Sequence, residues 1–248
     1  MHSLVFTDLD DTLFQTLRKC GPTQRKALTA CAYLKDGAAI SYATPRQTWL
    51  WSWLSASHAV IPVTARNFNA FSRVDLPFSH QAVLNHGAVI VDQHGQLDSV
   101  WHQRMQTAMS ACQDELAALW QAVMTYAAGQ SGLKPRLIED FGQVWYGVIK
   151  HDQADHQALQ TLLQTVLQSH PAVVAGQFYC HCNDNNLAII PAAIGKARAV
   201  RFLIEQYRSR YDDLITIGLG DSFTDGPFMA LCDYALMPQN SQLASLFP

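Results

Sequence analysis

The sequence lacks long apolar runs, basic stripes and repetitive tracts, and each absence disfavours a class of protein. No apolar run approaches the roughly 20 residues that a helix needs to cross a bilayer, so we expect no membrane partner. The net charge is −3 and no basic stripe is visible, which disfavours nucleic acid as a partner. No low-complexity tract or internal repeat is evident. The 248 residues, 49% of them hydrophobic, can fill the core of one large domain or two small ones.

An export signal and a clear cysteine cluster are also missing. The first residues lead directly into a strand pattern and the six cysteines are scattered, so we expect reduced thiols in a cytoplasmic protein. Cys180 and Cys182 flank His181, but on a strand the two sulfurs share one face while the imidazole points to the other. Because no second Cys/His cluster is evident, we expect no zinc site here.

Three carboxylates crowd the end of the first apolar run. Residues 4–14 read Leu-Val-Phe-Thr-Asp-Leu-Asp-Asp-Thr-Leu-Phe, which predicts a buried strand followed by Asp8, Asp10 and Asp11. In an open parallel sheet, ligands bind at the carboxyl ends of the strands. Crowded carboxylates repel one another, and oxygen ligands favour Mg²⁺. The pattern therefore indicates a magnesium site, with a solvated acidic turn as the alternative.

Three further signals follow along the chain. They are a strand pattern that ends in a hydroxyl, a lysine at the start of an amphipathic helix, and an apolar strand that ends in glycines and two acids. These signals lie at residues 59–66, 194–200 and 214–225, and their polar members are Thr64, Lys196, Asp221 and Asp225.

In this order, the four signals resemble the motifs of the haloacid dehalogenase superfamily of phosphohydrolases. The first motif of that family is Asp-x-Asp-x-Thr, which Asp8, Asp10 and Thr12 fit. The fourth is Gly-Asp-x-x-x-Asp, which residues 220–225 fit. The chain departs from the family mildly at two positions, since Asp11 and Ala65 stand where relatives often carry glycine.

The resemblance implies an α/β fold with a Rossmann-like parallel-sheet core and an inserted α+β cap domain. We expect the core at residues 1–86 and 192–248 and the cap at residues 87–191. A cap between the second and third motifs most resembles the sugar-phosphatase branch, which includes the sucrose-phosphate and mannosyl-phosphoglycerate phosphatases.

Local patterns predict the elements between the motifs. A hairpin is predicted over Leu28–Leu34 and Ala38–Tyr42, with a helix over Thr23–Leu34 as the alternative. Thr44-Pro45 predicts a helix start, and that helix would run to Ser57 with Trp49, Leu50, Trp53 and Leu54 on its core face. In the cap we predict helices at 101–128 and 154–169 and strands at 135–139, 143–150, 172–180 and 186–190. After the cap we predict a helix from Lys196 to Tyr207, a strand at Tyr234–Met237 and a last helix capped by Asn240.

The resemblance also implies a role for each motif. Asp8 would be the nucleophile, and Asp10 would protonate the leaving alcohol and later activate water. Thr64 would bind a phosphoryl oxygen, and Lys196 would pair with Asp8 and the phosphoryl group. The ligands of Mg²⁺ would be Asp8, the backbone carbonyl of Asp10, Asp221 and, directly or through a water, Asp225. Arg66, His181 and Asn186 are candidates for substrate binding, although the polar run from His181 to Asn186 equally suits a plain turn.

The sequence thus predicts a Mg²⁺-dependent phosphatase that acts on a phosphorylated sugar or similar small metabolite through an aspartyl-phosphate. A phosphomannomutase-like phosphotransferase is one alternative, and a catalytically silent sugar-phosphate binding module is another. The oligomeric state stays open.

Overall fold

The computed structural model describes residues 2–21 and 24–247, which divide into two compact units. The first unit comprises the residues up to His102 and those from Gly195 onward, and the second comprises Gln103–Ile194. The role of residues 87–191 as a cap stays a prediction.

The first unit opens with the central strand of its sheet and a small antiparallel sheet. Strand β1 (His2–Thr7) is followed by β2 (Gln15–Thr16), β3 (Thr29–Tyr33) and β4 (Ala39–Ala43), and the last three pair in the order β2-β4-β3. The hairpin prediction is therefore confirmed. The alternative helix is wrong where it can be checked, because residues 29–33 are a strand; Thr23, its predicted start, lies outside the described residues.

Helix α1 (Pro45–Ser57) has the predicted bounds, but two of its four predicted core residues are wrong. Thr44 caps it, and the side chain of Gln47 completes a reciprocal capping box. Leu54 is buried and Leu50 packs against the core, whereas Trp49 and Trp53 are 68% and 44% exposed. The helix is apolar on nearly every face, so periodicity could not identify the buried one.

Short elements complete this stretch of the first unit. They are β5 (Ala59–Pro62), α2 (Phe68–Phe71), β6 (Ala82–Leu84) and β7 (Val89–Val91). Strands β6 and β7 form an antiparallel hairpin whose turn, residues 85–87, has positive φ at three consecutive positions.

The second unit is a layer of helices on an antiparallel sheet. Its chain, including the helix that leads into it, folds as α3 (Ser99–Ser110), α4 (Gln113–Ala128), β8 (Leu133–Asp140), β9 (Gln143–His151), α5 (His156–Leu162), α6 (Pro171–Val174), β10 (Phe178–Asn183) and β11 (Asn186–Pro191). The strands follow the order β10-β11-β9-β8. A π-helical turn, Leu163–Leu167, continues α5.

Two predictions for this unit are corrected. The helix predicted at 101–128 is two helices, because the chain breaks at 111–112 and places Asp114 and Glu115 in the first turn of α4, where the helix dipole favours acids. The strand predicted at 172–180 begins only at Phe178. Before it, Pro171 opens a helical turn that the His170 side chain caps through the amide of Ala172.

The chain then returns to the first unit through α7 (Lys196–Arg208), β12 (Leu214–Leu219), α8 (Gly226–Met229) and β13 (Tyr234–Leu236). The core sheet has the order β13-β12-β1-β5, and all its pairs are parallel, which confirms the predicted α/β class. The prediction of a last helix capped by Asn240 is wrong. A 3-10 turn forms instead at Ala244–Leu246, and the hydroxyl of Ser241 rather than the side chain of Asn240 accepts from the amide of Ala244.

The described helices include none with the length and apolar character that crossing a bilayer requires.

Candidate active site

The register of the core sheet brings three of the four motifs to one edge. Thr7, the last residue of β1, pairs with Leu219 of β12 and with Pro62 of β5. The ladder continues one step further, because the amide of Asp8 donates to Leu219 at 2.8 Å and the amide of Val63 donates to Thr7 at 2.8 Å. The residues that follow these three strands therefore start level with one another at the carboxyl edge.

The third motif meets this edge through its buried lysine. The ammonium of Lys196 lies 2.6 Å from Oδ1 of Asp8 and 2.7 Å from Oδ1 of Asp225. All three groups are buried, with Asp225 fully inaccessible to solvent. A charge of either sign would be costly in such a place without its partner, so the three groups form one electrostatic unit.

Burial and ion pairing shift the pKa values of these three groups in different directions. Burial opposes the charge of Lys196, but the carboxylates of Asp8 and Asp225 outweigh it and raise the pKa of the lysine. Burial raises the pKa of Asp8 well above its usual value, and Lys196 offsets only part of that effect. For Asp225, Lys196 and Ser222 outweigh burial and lower the pKa, so Asp225 is the firmly ionised partner of the lysine.

Asp221 and Thr12 complete the cluster. The hydroxyl of Thr12 lies 3.4 Å from Oδ2 of Asp8 and 3.3 Å from Oδ1 of Asp221. Burial, reinforced by the nearby negative charge of Asp225, raises the pKa of Asp221 to about 6. The structure therefore gathers carboxylates from residues more than 200 positions apart around one small volume.

Both carboxylate oxygens of Asp225 accept hydrogen bonds from other groups of the protein. Its Oδ2 accepts from the hydroxyl of Ser222 at 2.6 Å and from the Ser222 amide at 3.0 Å, while Oδ1 faces Lys196. Asp225 thus fixes both the lysine and the loop that carries Asp221. Ser222 was missed in the sequence, although a serine three residues before an acid is a recognisable local hydrogen-bond pattern.

Asp10 and Arg66 form a second pair at the mouth of the site. The guanidinium donates from Nε to Oδ2 at 2.8 Å and from Nη2 to Oδ1 at 2.7 Å. The Asp10 side chain is about half exposed, whereas that of Arg66 is largely covered and its guanidinium lies 5.2 Å from the Phe14 ring centroid. Such a bidentate pair fixes the orientation of the carboxylate.

Thr64 sits beside this pair. It is buried, and its hydroxyl oxygen accepts from the amide of Arg66 at 3.1 Å, which leaves the hydroxyl proton to donate elsewhere. The segment is held in place by the turn after β6, because the amide of His86 donates to the carbonyl of Thr64.

Two glycines make the close packing of the site possible, and neither role was visible in the sequence. Gly87 has a φ of +104°, and a Cβ there would collide with the carbonyl of Gly195 and lie 2.9 Å from the amide of Lys196. A Cβ on Gly220 would lie 2.9 Å from Cγ of Asp225. Both glycines therefore let backbone approach the residues that carry the buried charges.

The other two substrate-binding candidates lie in the second unit. His181 is within β10, and Asn186 is the first residue of β11. Their neighbour Asn185 is structural, since its side chain accepts from the amide of His151 and donates to the carbonyl of the same residue. A role for His181 and Asn186 in substrate binding stays a prediction.

The carboxylate cluster suits a hard divalent cation. Asp8, Asp221 and Asp225 each offer a carboxylate oxygen, and these oxygens lie within 4.8 Å of one another. With Lys196 included, three negative charges and one positive charge leave a net charge of −2. A donor set made only of oxygen is the set that Mg²⁺ prefers, so the residues fit the predicted ion.

Comparison with solved structures identifies the class of fold. No family model matches the sequence, and comparison with curated proteins gives no match. Solved phosphatases nevertheless share the architecture over nearly the whole chain, as the following examples show. At 16–17% identity this likeness shows the fold, so the predicted α/β fold with a Rossmann-like parallel sheet and a second α+β unit is confirmed.

Three solved structures show the likeness. The sucrose-phosphatase of Synechocystis sp. PCC6803, in complex with sucrose and phosphate, has a TM-score of 0.58 at 17% identity, over 99% of this chain and 86% of that one. A trehalose-6-phosphate phosphatase related protein has a TM-score of 0.52 at 16% identity, over 94% and 85% of the two chains. The C-terminal domain of the C. albicans trehalose-6-phosphate phosphatase has a TM-score of 0.51 at 14% identity, over 92% and 72%.

Proposed function

We propose that this protein is a Mg²⁺-dependent phosphatase that hydrolyses the phosphate monoester of a sugar or similar small metabolite through an aspartyl-phosphate on Asp8. The observation that carries the proposal is the buried contact of Lys196 with Asp8 and Asp225 beside the carboxylate of Asp221. A nucleophilic carboxylate that meets a dianionic phosphoryl group needs positive charge close by. Lys196 supplies part of it, and the carboxylate cluster would hold the divalent cation that supplies the rest.

In the first step, the carboxylate of Asp8 attacks phosphorus and the bond from phosphorus to the ester oxygen breaks. Lys196 faces the attacking carboxylate and offsets the charge that gathers on the phosphoryl oxygens, and the hydroxyl of Thr64 donates to one of them. Asp10 gives its proton to the departing oxygen, so the products are an alcohol and an acyl phosphate on Asp8.

In the second step, Asp10 returns as a base. It takes a proton from the water that attacks the phosphorus of the acyl phosphate, and this attack releases inorganic phosphate and restores the carboxylate of Asp8. Because Arg66 donates to both oxygens of Asp10, it holds that carboxylate in a defined orientation. A phosphoryl group that competes for Arg66 would free Asp10 to act, which is how Arg66 would take part in substrate binding.

The residues that would hold Mg²⁺ are Asp8, Asp221 and the backbone carbonyl of Asp10. Asp225 would contribute directly or through a water, and its contacts with Lys196 and Ser222 favour the indirect role. When bound, the ion supplies positive charge that offsets the repulsion between carboxylate and phosphate.

Residues 87–191 would act as a cap that selects the leaving group, with His181 and Asn186 among its contacts. The partner would be a small phosphorylated metabolite. The six cysteines are thiols, which suits the reducing cytoplasm expected from the sequence.

A screen of phosphorylated metabolites for phosphate release tests the proposal. We expect Mg²⁺-dependent release from sugar phosphates, loss of release in a chelator and recovery when Mg²⁺ is restored. Asp8→Asn removes the nucleophile and should abolish release while sugar-phosphate binding persists.

Three outcomes would contradict the proposal. Full activity in the chelator would exclude the metal role. Isomerised sugar phosphate without net release of phosphate would identify a mutase. Binding without turnover in the unaltered protein would identify a silent binding module.

A further inference from the structure

A segment whose charged residues are all basic follows the first motif. Between Asp11 and Asp36 the chain has five basic residues and no acidic residue, although the whole protein has a net charge of −3. Three of the five, Arg18, Lys19 and Arg25, have described side chains on or beside the 3-10 turn at Leu17–Lys19. The segment therefore places positive charge next to an acidic catalytic edge.

Lys19 brings this charge to the mouth of the site. Its ammonium lies 2.5 Å from Oδ2 of Asp11, and Asp11 directly follows the proposed proton shuttle, Asp10. Asp11 has a φ of +68°, a conformation that most residues avoid and that aspartate tolerates better than most. This turn thus holds an acid where it meets Lys19.

Local hydrogen bonds hold the backbone around Lys19 in place. The side chain of Arg25 donates to the carbonyl of Cys20 at 3.3 Å and to that of Leu17 at 3.4 Å, which closes the turn around Lys19. The side chain of Gln15 donates to the carbonyl of Lys19 itself at 3.2 Å. These bonds fix the backbone of Lys19, and its side chain reaches Asp11.

The ion pair between Lys19 and Asp11 is weak enough for another anion to replace Asp11. The side chains of Lys19 and Asp11 are 35% and 28% exposed, and ion pairs so open to water contribute at most about 1 kcal/mol. Lys196 and Arg66, by contrast, are largely buried against Asp8, Asp225 and Asp10, and in the proposed mechanism both serve the transferred phosphoryl group. An anionic group that approaches the mouth can therefore compete with Asp11 for Lys19.

We propose that Lys19 is a specificity-determining residue that binds a second anionic group, a carboxylate or a second phosphate, on the leaving group of the substrate. This inference rests on the proposed phosphatase function and narrows it to phosphate monoesters with an acidic leaving group. A neutral sugar would gain nothing from an ammonium at this position.

Two pairs of substrates test the inference with the full chain and Mg²⁺. Glycerol 3-phosphate and 3-phosphoglycerate differ by one carboxylate, and fructose 6-phosphate and fructose 1,6-bisphosphate differ by one phosphate. We expect kcat/KM to favour the more anionic member of at least one pair about threefold to fivefold, the upper range of a partly exposed ion pair. The pair that shows the preference identifies the anion.

Variants assign the preference to Lys19. Lys19→Met should reduce the ratio of kcat/KM within that pair about threefold to fivefold, and Lys19→Arg should retain most of it. Lys35→Met removes an exposed charge from the same segment, at the tip of the β3–β4 hairpin, and should leave the ratio unchanged.

Each contrary outcome has its own meaning. If the unaltered protein releases phosphate but shows no preference in either pair, or if Lys19→Met keeps the preference, the inference is wrong while the phosphatase function stands. If no substrate of any kind releases phosphate, the proposed function fails and the inference fails with it.

Discussion

At the scale of single residues, the site depends on one buried cation. Lys196 compensates two carboxylates that are themselves buried, and transfer of such charges from water to the protein interior costs several kcal/mol each. The mutual attraction offsets this cost only while all three groups are present. Removal of the lysine would leave two uncompensated negative charges in the core.

We therefore expect Lys196→Met to abolish phosphate release and, in buffer free of Mg²⁺, to lower the free energy of unfolding by about 3–5 kcal/mol. Urea denaturation measures the second effect. Arg208→Met is the matched control, because Arg208 pairs with Asp233 at 3.5 Å on the surface and its loss should cost less than about 1 kcal/mol. Equal losses in the two variants would show that the buried contact is not formed.

At the scale of elements, the start of α7 is positioned by the hairpin of β6 and β7. The turn at residues 85–87 brings Gly87 against Gly195, the residue before Lys196, and the Gly87 carbonyl accepts from the indole nitrogen of Trp101 at 3.1 Å. The motif lysine therefore owes its position to backbone contact from a turn more than 100 residues earlier in the chain.

Gly87→Ala tests this contact. An added Cβ must displace the backbone of Gly195 and Lys196, so we expect a loss of stability of about 1–3 kcal/mol from the strained φ together with a large loss of phosphate release.

Gly176→Ala provides the control, since Gly176 has a φ of +71° with open space around it and so reports conformational strain alone. Both variants can be compared by thermal unfolding and by turnover of one aryl phosphate. If Gly87→Ala keeps normal turnover, or loses no more of it than the control, the hairpin does not position Lys196.

At the scale of the whole molecule, the function depends on contacts between distant parts of the chain. Parallel strands end level at one edge, so the register alone aligns the loops that follow β1, β5 and β12. The burial that raises the pKa of Asp8 and Asp221 also reflects this assembly, because neither group is buried in the isolated segment.

Much of this arrangement could be predicted from the sequence because its signals are local. A short apolar strand that ends in acids, and Thr44 followed by Pro45, each identify an element from a few neighbouring residues. The order of the four motifs then implied that they meet at one edge of a sheet.

The remainder could not be predicted because it depends on packing. Which face of α1 is buried is decided by the sheet beneath it, and this left Trp49 and Trp53 exposed. The bidentate pair of Asp10 and Arg66 joins residues 56 positions apart, and no local pattern indicates it.

The most direct test of the account is to trap the covalent intermediate. An aspartyl-phosphate is reduced by borohydride to homoserine, so the protein is mixed with a substrate, quenched with borohydride and digested, and the peptide that contains residue 8 is analysed by mass spectrometry. We predict homoserine at position 8, dependent on substrate and on Mg²⁺ and absent from Asp8→Asn. Steady release of phosphate with an unmodified Asp8, or with the modification at another residue, would contradict the account.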